Sequence, residues 1–299
     1  MIQDLSIRNM RENKYRIVVR IVKTKYWTPT DPHKAYRKLR KIINNTILDK
    51  SLLFISEKAL KVLTGDIYDE ARLSVKNVDI LAGKIHRIVW CRLLRKYVNW
   101  KILNTICNVH IEDISRHIHF TISRCISKLD FISIFKPTSG CGIDASFLPY
   151  MYVTDVQDSY MNIIKKLWLD YRHRLWGIVI VDGDLSLICK RGHLILTSRR
   201  TYVKGTMNVG PLVNVLSRSF LRKFFLKSMT VVYYVGYSIP PKLIFLLSRR
   251  ARKYMYNRYG MTLLENVMCL EAENYKTITW SSLINTTNVP MVYIRVSKG

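Results

Sequence analysis

Side chains able to hold a metal ion or a phosphate are spread unevenly along the chain. Asp144, in Cys-Gly-Ile-Asp-Ala-Ser, and Asp182 with Asp184, in Val-Ile-Val-Asp-Gly-Asp, each follow a strand-like run. Carboxylates at strand ends are the ligand type that holds Mg²⁺ beside a scissile phosphate. The same Asp182-Gly183 pair also has the composition of a tight hairpin turn. Cys107 and His110 stand at Cys-x2-His spacing, with His117, His119 and Cys125 downstream. These are zinc ligand types, but the second half is irregular, so packing of separate Cys and His residues is the better account and no metal site is expected. His117-Ile118-His119 lies in a stretch that reads as a strand, whose alternation puts both imidazoles on one face. The largest constellation is cationic. Residues 185–264 contain no Asp or Glu but fifteen Lys and Arg. A solvated surface mixes the two signs, so this run points to phosphate. The candidate contacts are Lys190, Arg191, Arg199, Arg200, Arg249, Arg250, Arg252 and Lys253, with Tyr256 beside them. Arg grips phosphate with a two-pronged fork, and Tyr and Trp faces accept stacked bases.

The whole composition agrees with that emphasis. Lys and Arg total 49 against 21 Asp and Glu, a formal net charge of +28. So large a charge repels itself unless a polyanion neutralises it, and nucleic acid, DNA or RNA, is the commonest such partner. An acidic membrane surface is the other, and a generally basic proteome of organellar or viral kind is a non-functional source of the same bias. Gly and Pro together number only 20 of 299 residues and 48% are hydrophobic, which excludes a low-complexity or disordered chain. No run of 18 apolar residues is present, so no spanning helix is expected. The first residues lack an apolar core and do not read as a signal peptide. The six cysteines are widely spaced with no CxxC, as expected of free thiols in a reducing, intracellular compartment. No P-loop, dinucleotide fingerprint, HExxH or nucleophile elbow appears.

The elements that must position these residues form an α+β pattern. Residues 1–137 read as a basic, mainly helical region and 138–299 as a mixed α/β domain, the break falling in the Pro-, Gly- and Ser-rich stretch 136–149. Tyr15 to Lys25 has the β-branched density of a strand. Asp31-Pro32 opens a helix as N-cap and first-turn proline. Ser56-Glu57 starts a short helix, and Asn77 to Ile106 carries a long apolar stripe that includes Leu81, Ile85 and Ile88. Further on, Tyr160 to His173 reads as helix and Trp176 to Val181 as strand. Asp182-Gly183 and Arg191-Gly192 read as turns around strands Leu185 to Cys189 and His193 to Thr197. Pro211 to Lys227 reads as helix, Thr230 to Gly236 as strand and Pro240 to Arg258 as helix. Leu263 to Leu270 is then a strand, Glu273 to Leu283 a helix and Met291 to Val296 a strand. In the Pro240 helix the expected buried stripe is Leu243, Leu247, Ala251 and Tyr254, opposite Arg249, Arg252, Lys253 and Tyr256.

Two resemblances attach to these residues. From Tyr160 onward the order of helices and strands resembles the second half of the GNAT acyltransferase fold. Pro240, Pro241, Arg258-Tyr259-Gly260, Leu263-Leu264-Glu265, Tyr275 and Trp280 are similar to the tail of its DNA-modifying Mom and DruA type. That resemblance implies acyl transfer to nucleic acid, with the acyl-donor pyrophosphate on the turn from Gly236 to Pro241. Here two prolines remove two N–H donors from that turn. His117-Ile118-His119 resembles the HUH motif of rolling-circle nickases, which implies a metal held by the His pair and attack on phosphate by Tyr160 or Tyr171.

The sequence therefore predicts a strongly basic nucleic-acid-binding protein that contacts the phosphate backbone, with GNAT-like modification of nucleic acid as a further activity. A metal-dependent nuclease or HUH-type nickase is one alternative. A structural component of a ribonucleoprotein, or of viral or mobile-element DNA, is the other. No cofactor and no catalytic residue is assigned.

Overall fold

The computed structural model describes residues 2–7, 15–93, 107, 109–124, 139–140, 143–144, 148, 151–155, 158–210, 212–218, 223–255 and 277–298. In chain order the first elements are β1 (Ile2–Ile7), β2 (Tyr15–Lys25), α1 (Pro32–Thr46), β3 (Ser51–Ser56), α2 (Glu57–Thr64), β4 (Ile67–Asp69), α3 (Asn77–Ile88) and α4 (Ile111–Arg124). There follow β5 (Ser139–Gly140), β6 (Ile143–Asp144), β7 (Tyr152–Thr154), α5 (Tyr160–Tyr171), β8 (Leu175–Cys189), β9 (Ile195–Thr197) and β10 (Thr206–Asn208). The last are α6 (Leu212–Arg218), β11 (Phe225–Gly236), α7 (Pro241–Met255), α8 (Trp280–Ile284) and β12 (Thr287–Lys298). The α+β expectation holds: helices combine with a mixed sheet.

Two compact units emerge, and both are discontinuous in sequence. One comprises residues 1–65, 158–257 and 286–299; the other comprises 66–157 and 258–285. The boundary expected near 137 falls inside the second unit. Residues 1–65 supply β1, β2 and β3 to the same sheet as β8, β11 and β12, so the amino-terminal segment is a full participant in that sheet.

In the first unit the sheet runs β1-β2-β12-β3-β8, with β11 on the far side of β8 and β9-β10 continuing along the carboxy-terminal half of β8. β3 and β8 are parallel, as are β9 and β10, and the remaining pairs are antiparallel. β3 reads Ser-Leu-Leu-Phe-Ile-Ser with five successive buried positions, because a central strand is covered on both faces. Alternation divides the apolar side chains. Leu53, Ile55, Ile178, Ile180, Met291 and Tyr293 face α1, α2 and α5. Leu52, Phe54, Val179, Val181, Val292 and Ile294 face α7. Each helix meets its face with a helical-period stripe: Ala35, Leu39 and Ile43 from α1, and Ile163, Ile164 and Leu167 from α5. Burying each such aliphatic side chain contributes about 1.5–3 kcal/mol, which holds the three layers together.

Local signals account for several boundaries. Asp31 caps α1 by accepting from the Lys34 N–H at 2.8 Å, with Pro32 in the first turn. β2 spans the expected Tyr15–Lys25. Gly65 ends α2 in the left-handed region at φ +77°, where a Cβ would be strained.

Elsewhere tertiary pairing overrides the local pattern. β8 passes through Asp182-Gly183 without turning; Asp182 pairs with Thr230 and Leu185 with Met229, so Gly183-Asp184 is a bulge. The antiparallel partner of Trp176 to Val181 is thus β11. Of the helix expected over Pro211 to Lys227, Leu212–Arg218 forms α6, whereas Phe225, Leu226 and Lys227 pair with Cys189, Ile188 and Leu187 as the start of β11. In α7 the buried residues are Ile244, Phe245, Leu247, Ser248 and Ala251. Leu243, expected inside, is 44% exposed, because Ile244 and Phe245 occupy the sheet-facing side of the first turn.

In the second unit α3 and α4 pack together, with Gly83 of α3 against Ser115 of α4. The stripe expected to pack, Leu81, Ile85 and Ile88, is exposed along with Val78, while Asp79, Gly83 and His86 are buried. Periodicity found the stripe but not the side it faces. The side without bulk, at Gly83, is the one that admits a neighbouring helix. The strand expected over Leu263 to Leu270 and the residues Arg258, Tyr259, Gly260, Glu265 and Tyr275 lie outside the described residues.

Candidate nucleic-acid interface

The turn joining β8 to β9 is the focus of the cationic run. Gly192 takes φ +88°, as the expected Arg191-Gly192 turn requires, and the Cys189 N–H closes the loop on the Leu194 carbonyl at 2.9 Å. Two contacts tie other basic segments to it. The Lys190 N–H donates to the Phe224 carbonyl at 2.9 Å, bringing Lys223 alongside. The Lys242 ammonium, on the first turn of α7, donates to the carbonyls of Lys190 at 3.2 Å and Gly192 at 2.7 Å. Lys190, Arg191 and Lys223 are exposed, and among the described residues none of them forms an ion pair. Carbonyl dipoles rather than a carboxylate hold Lys242, so the positive charge of the cluster is not cancelled.

Along α7 the charge continues. Arg249 and Lys253 are exposed four residues apart on one side of the helix. Arg249 is seven residues beyond Lys242, which returns it to the same side. Arg250 and Arg252 are half-buried, and Tyr256 lies outside the described residues. Arg200 is exposed on the segment between β9 and β10.

Arg199 departs from the expected phosphate contact. Its side chain is only 12% exposed and donates to Glu57 at 2.5 and 3.1 Å and to Asp182 at 2.8 Å. Its fork is therefore engaged by carboxylates instead of being presented to solvent. Lys61 extends the network, lying 3.5 Å from Glu57 and 3.7 Å from Asp158. The Tyr160 hydroxyl donates to Glu57 at 3.3 Å, and the Tyr202 hydroxyl donates to Asp158 at 2.9 Å. Burial would raise the Asp182 carboxyl, but the charge and hydrogen bond of Arg199 outweigh it and hold the carboxyl below its ordinary value. Burial, then the nearby Glu57 charge, pushes the Tyr160 hydroxyl far above the usual phenol range. Asp182, read from sequence as a Mg²⁺ ligand, thus has a guanidinium at its oxygens. Asp144 belongs to β6 in the second unit. Glu57, Lys61 and Asp158 escaped the sequence reading, although Glu57 and Lys61 stand at ion-pair spacing within Glu-Lys-Ala-Leu-Lys-Val-Leu. A lysine inside an apolar helix face was the available signal.

The histidine pair also differs from expectation. His117 and His119 lie on helix α4, not on a strand, so two residues' separation turns them to different sides. His117 Nδ1–H donates to Glu70 Oε1 at 2.9 Å and His119 Nδ1–H to Asp79 Oδ1 at 3.0 Å. Glu112 and Asp113 in the first turn, and the buried Ile114, Ile118 and Thr121 at helical spacing, outweigh the local β-branched content. Tyr160 and Tyr171, placed by the HUH resemblance as nucleophiles, are 0% and 5% exposed in the first unit. Cys107 is joined to Cys91 in a disulfide, which corrects the free-thiol expectation for this pair and removes Cys107 from the zinc reading. Cys125, Cys141 and Cys269 lie outside the described residues, and Cys189 is a free thiol. Among the described residues no group of three or more His, Cys, Asp or Glu is placed to hold a metal ion, and no helix is long and apolar enough to cross a membrane.

No protein-family model matches this chain, and a search of curated proteins finds no match.

Proposed function

We propose that this protein binds nucleic acid through its phosphate backbone, using the β8–β9 turn and the exposed side of α7. The observation that carries the reading is the seat of Lys242, which joins Lys190, Arg191 and Lys223 to the helix that bears Arg249 and Lys253. Like charges gathered without a carboxylate are costly unless an anion answers them, and the chain contains no acid from 185 to 264 to do so. The reading requires no catalytic group and suits a component of a ribonucleoprotein or of packaged DNA. The turn from Gly236 to Pro241, where the GNAT resemblance would seat an acyl donor, offers no N–H at Pro240 or Pro241. Backbone binding does not depend on acyl transfer.

The test is fluorescence anisotropy with labelled DNA and RNA over a series of salt concentrations. Binding should weaken linearly on logarithmic axes, and Lys190→Ala with Arg191→Ala should flatten the slope by about 2, roughly one per lost phosphate contact. An unchanged slope with unchanged affinity would remove the turn from the interface.

A further inference from the structure

Among the described residues the strand paired with β11 is β8, and a row of aromatic rings lies toward its other edge. Tyr233 and Val235 project from β11 toward the α5 side of the sheet, and Tyr237 follows two residues later. Tyr202 crosses to this edge: its N–H donates to the Val232 carbonyl at 2.8 Å, and its ring meets Tyr233 edge to face at 6.3 Å. Trp168 from α5 meets Tyr237 edge to face at 5.3 Å. These rings are held in place. The Tyr237 hydroxyl donates to the Arg172 carbonyl at 2.9 Å, and the Tyr202 hydroxyl is anchored on Asp158. Yet Tyr237 is 53% exposed and Tyr202 49%. Exposed cations stand beside both ends: Arg172 after α5, Arg200 and Lys204 around Tyr202.

We infer that this row is a base-stacking platform and that the nucleic acid bound is single-stranded. The inference rests on the phosphate-backbone reading and adds the class of strand to it. Tyr–OH groups satisfied by the protein leave their ring faces as the available surface, and a fixed ring loses little conformational freedom when a base stacks on it. Tyr233 and Tyr237 are four residues apart, about 13 Å along an extended chain, a reach that two nucleotides of an extended strand span. A duplex keeps its base faces inside the stack, so exposed rings flanked by cations suit unpaired bases.

The experiment compares, by anisotropy on the full-length chain, oligo(dT) and oligo(U) with a duplex and with an abasic oligomer of equal length. The abasic strand keeps the phosphates and lacks the bases. Oligo(dT) or oligo(U) should bind about tenfold or more tightly than the abasic strand. Tyr237→Ala and Tyr202→Ala should erase much of that difference without changing the salt slope, and Tyr237→Phe, which retains the ring, should keep it. Equal affinity for abasic and base-bearing strands, or a preference for duplex, would overturn the stacking platform while leaving backbone binding in place. Absence of binding to every polyanion would overturn both.

Discussion

The ammonium of Lys242 donates to the main-chain carbonyl of Lys190 at 3.2 Å, so one basic residue secures the turn that carries another. Charge repulsion between neighbouring cations is offset here by backbone dipoles, which stabilise the ammonium without neutralising it. The arrangement converts a compositional bias, spread over residues 185–264, into a localised cationic surface.

Reversal of the helix charges tests how far that surface extends. Arg249→Glu with Lys253→Glu should lower affinity for nucleic acid and flatten the salt dependence by at least 2 units of slope, measured by anisotropy at several salt concentrations. The double variant should keep its urea midpoint nearly unchanged, since exposed substitutions away from the core usually alter stability by less than about 0.5 kcal/mol.

Arg199 should behave in the opposite manner. Arg199→Met takes the guanidinium from both carboxylates, leaving Glu57 to Lys61 and Tyr160 and Asp182 to the Gly183 N–H, and loss of one member of a buried ion pair costs about 3–5 kcal/mol. Urea denaturation followed by circular dichroism should show that loss. A variant as stable as the parent would show that the network does not hold α2 to β8.

The same network sets a pH dependence. The native Asp182 carboxyl is held below its ordinary value of 3.8, with Arg199, Lys58 and the Gly183 N–H favouring the ionised form. Its contribution to stability is therefore present above about pH 4 and lost as pH falls through the depressed native value. In Arg199→Met the largest influence left on the carboxyl is burial, which should raise it instead. The deficit of that variant should then be largest near neutrality and shrink on acidification, a reversal readable in melting temperatures between pH 7 and pH 4.

Gly83 tests the second unit. A Cβ there would collide with Ser115 Oγ and lie 3.2 Å from the Ile111 carbonyl oxygen, while Ser115 itself donates to that carbonyl at 2.7 Å. Gly83→Ala should destabilise by about 1–2 kcal/mol despite the better helix propensity of alanine. Adding Ser115→Ala should recover most of the loss in a double-mutant cycle.

Much of the architecture was legible because it depends on neighbours in the chain. The Asp31 cap with Pro32, the span of β2, the start of α2 and the Arg191-Gly192 turn each follow from a few adjacent residues. What failed involved distant partners. The strand expected at His117 is a helix, and the hairpin expected at Asp182-Gly183 is a bulge because β11, some forty residues on, pairs through it. The exposed stripe of α3 shows the same limit: its period was visible, but the closeness permitted at Gly83 decides which side is covered.

Arg199 and Arg200 condense the distinction. The sequence by itself determined that residues 185–264 are basic and free of acid, and hence that an anion is the partner to seek. It could not separate two adjacent arginines of the same type. The chain bends at Ser198 and Arg199 just past β9, and the two adjacent side chains end in different surroundings. The tertiary structure turned Arg199 inward, to Glu57 142 residues away and Asp182 17 residues away, and left Arg200 in solvent. A buried guanidinium is stable only where carboxylates meet it, and which residues meet is decided by how β3, α2 and β8 pack.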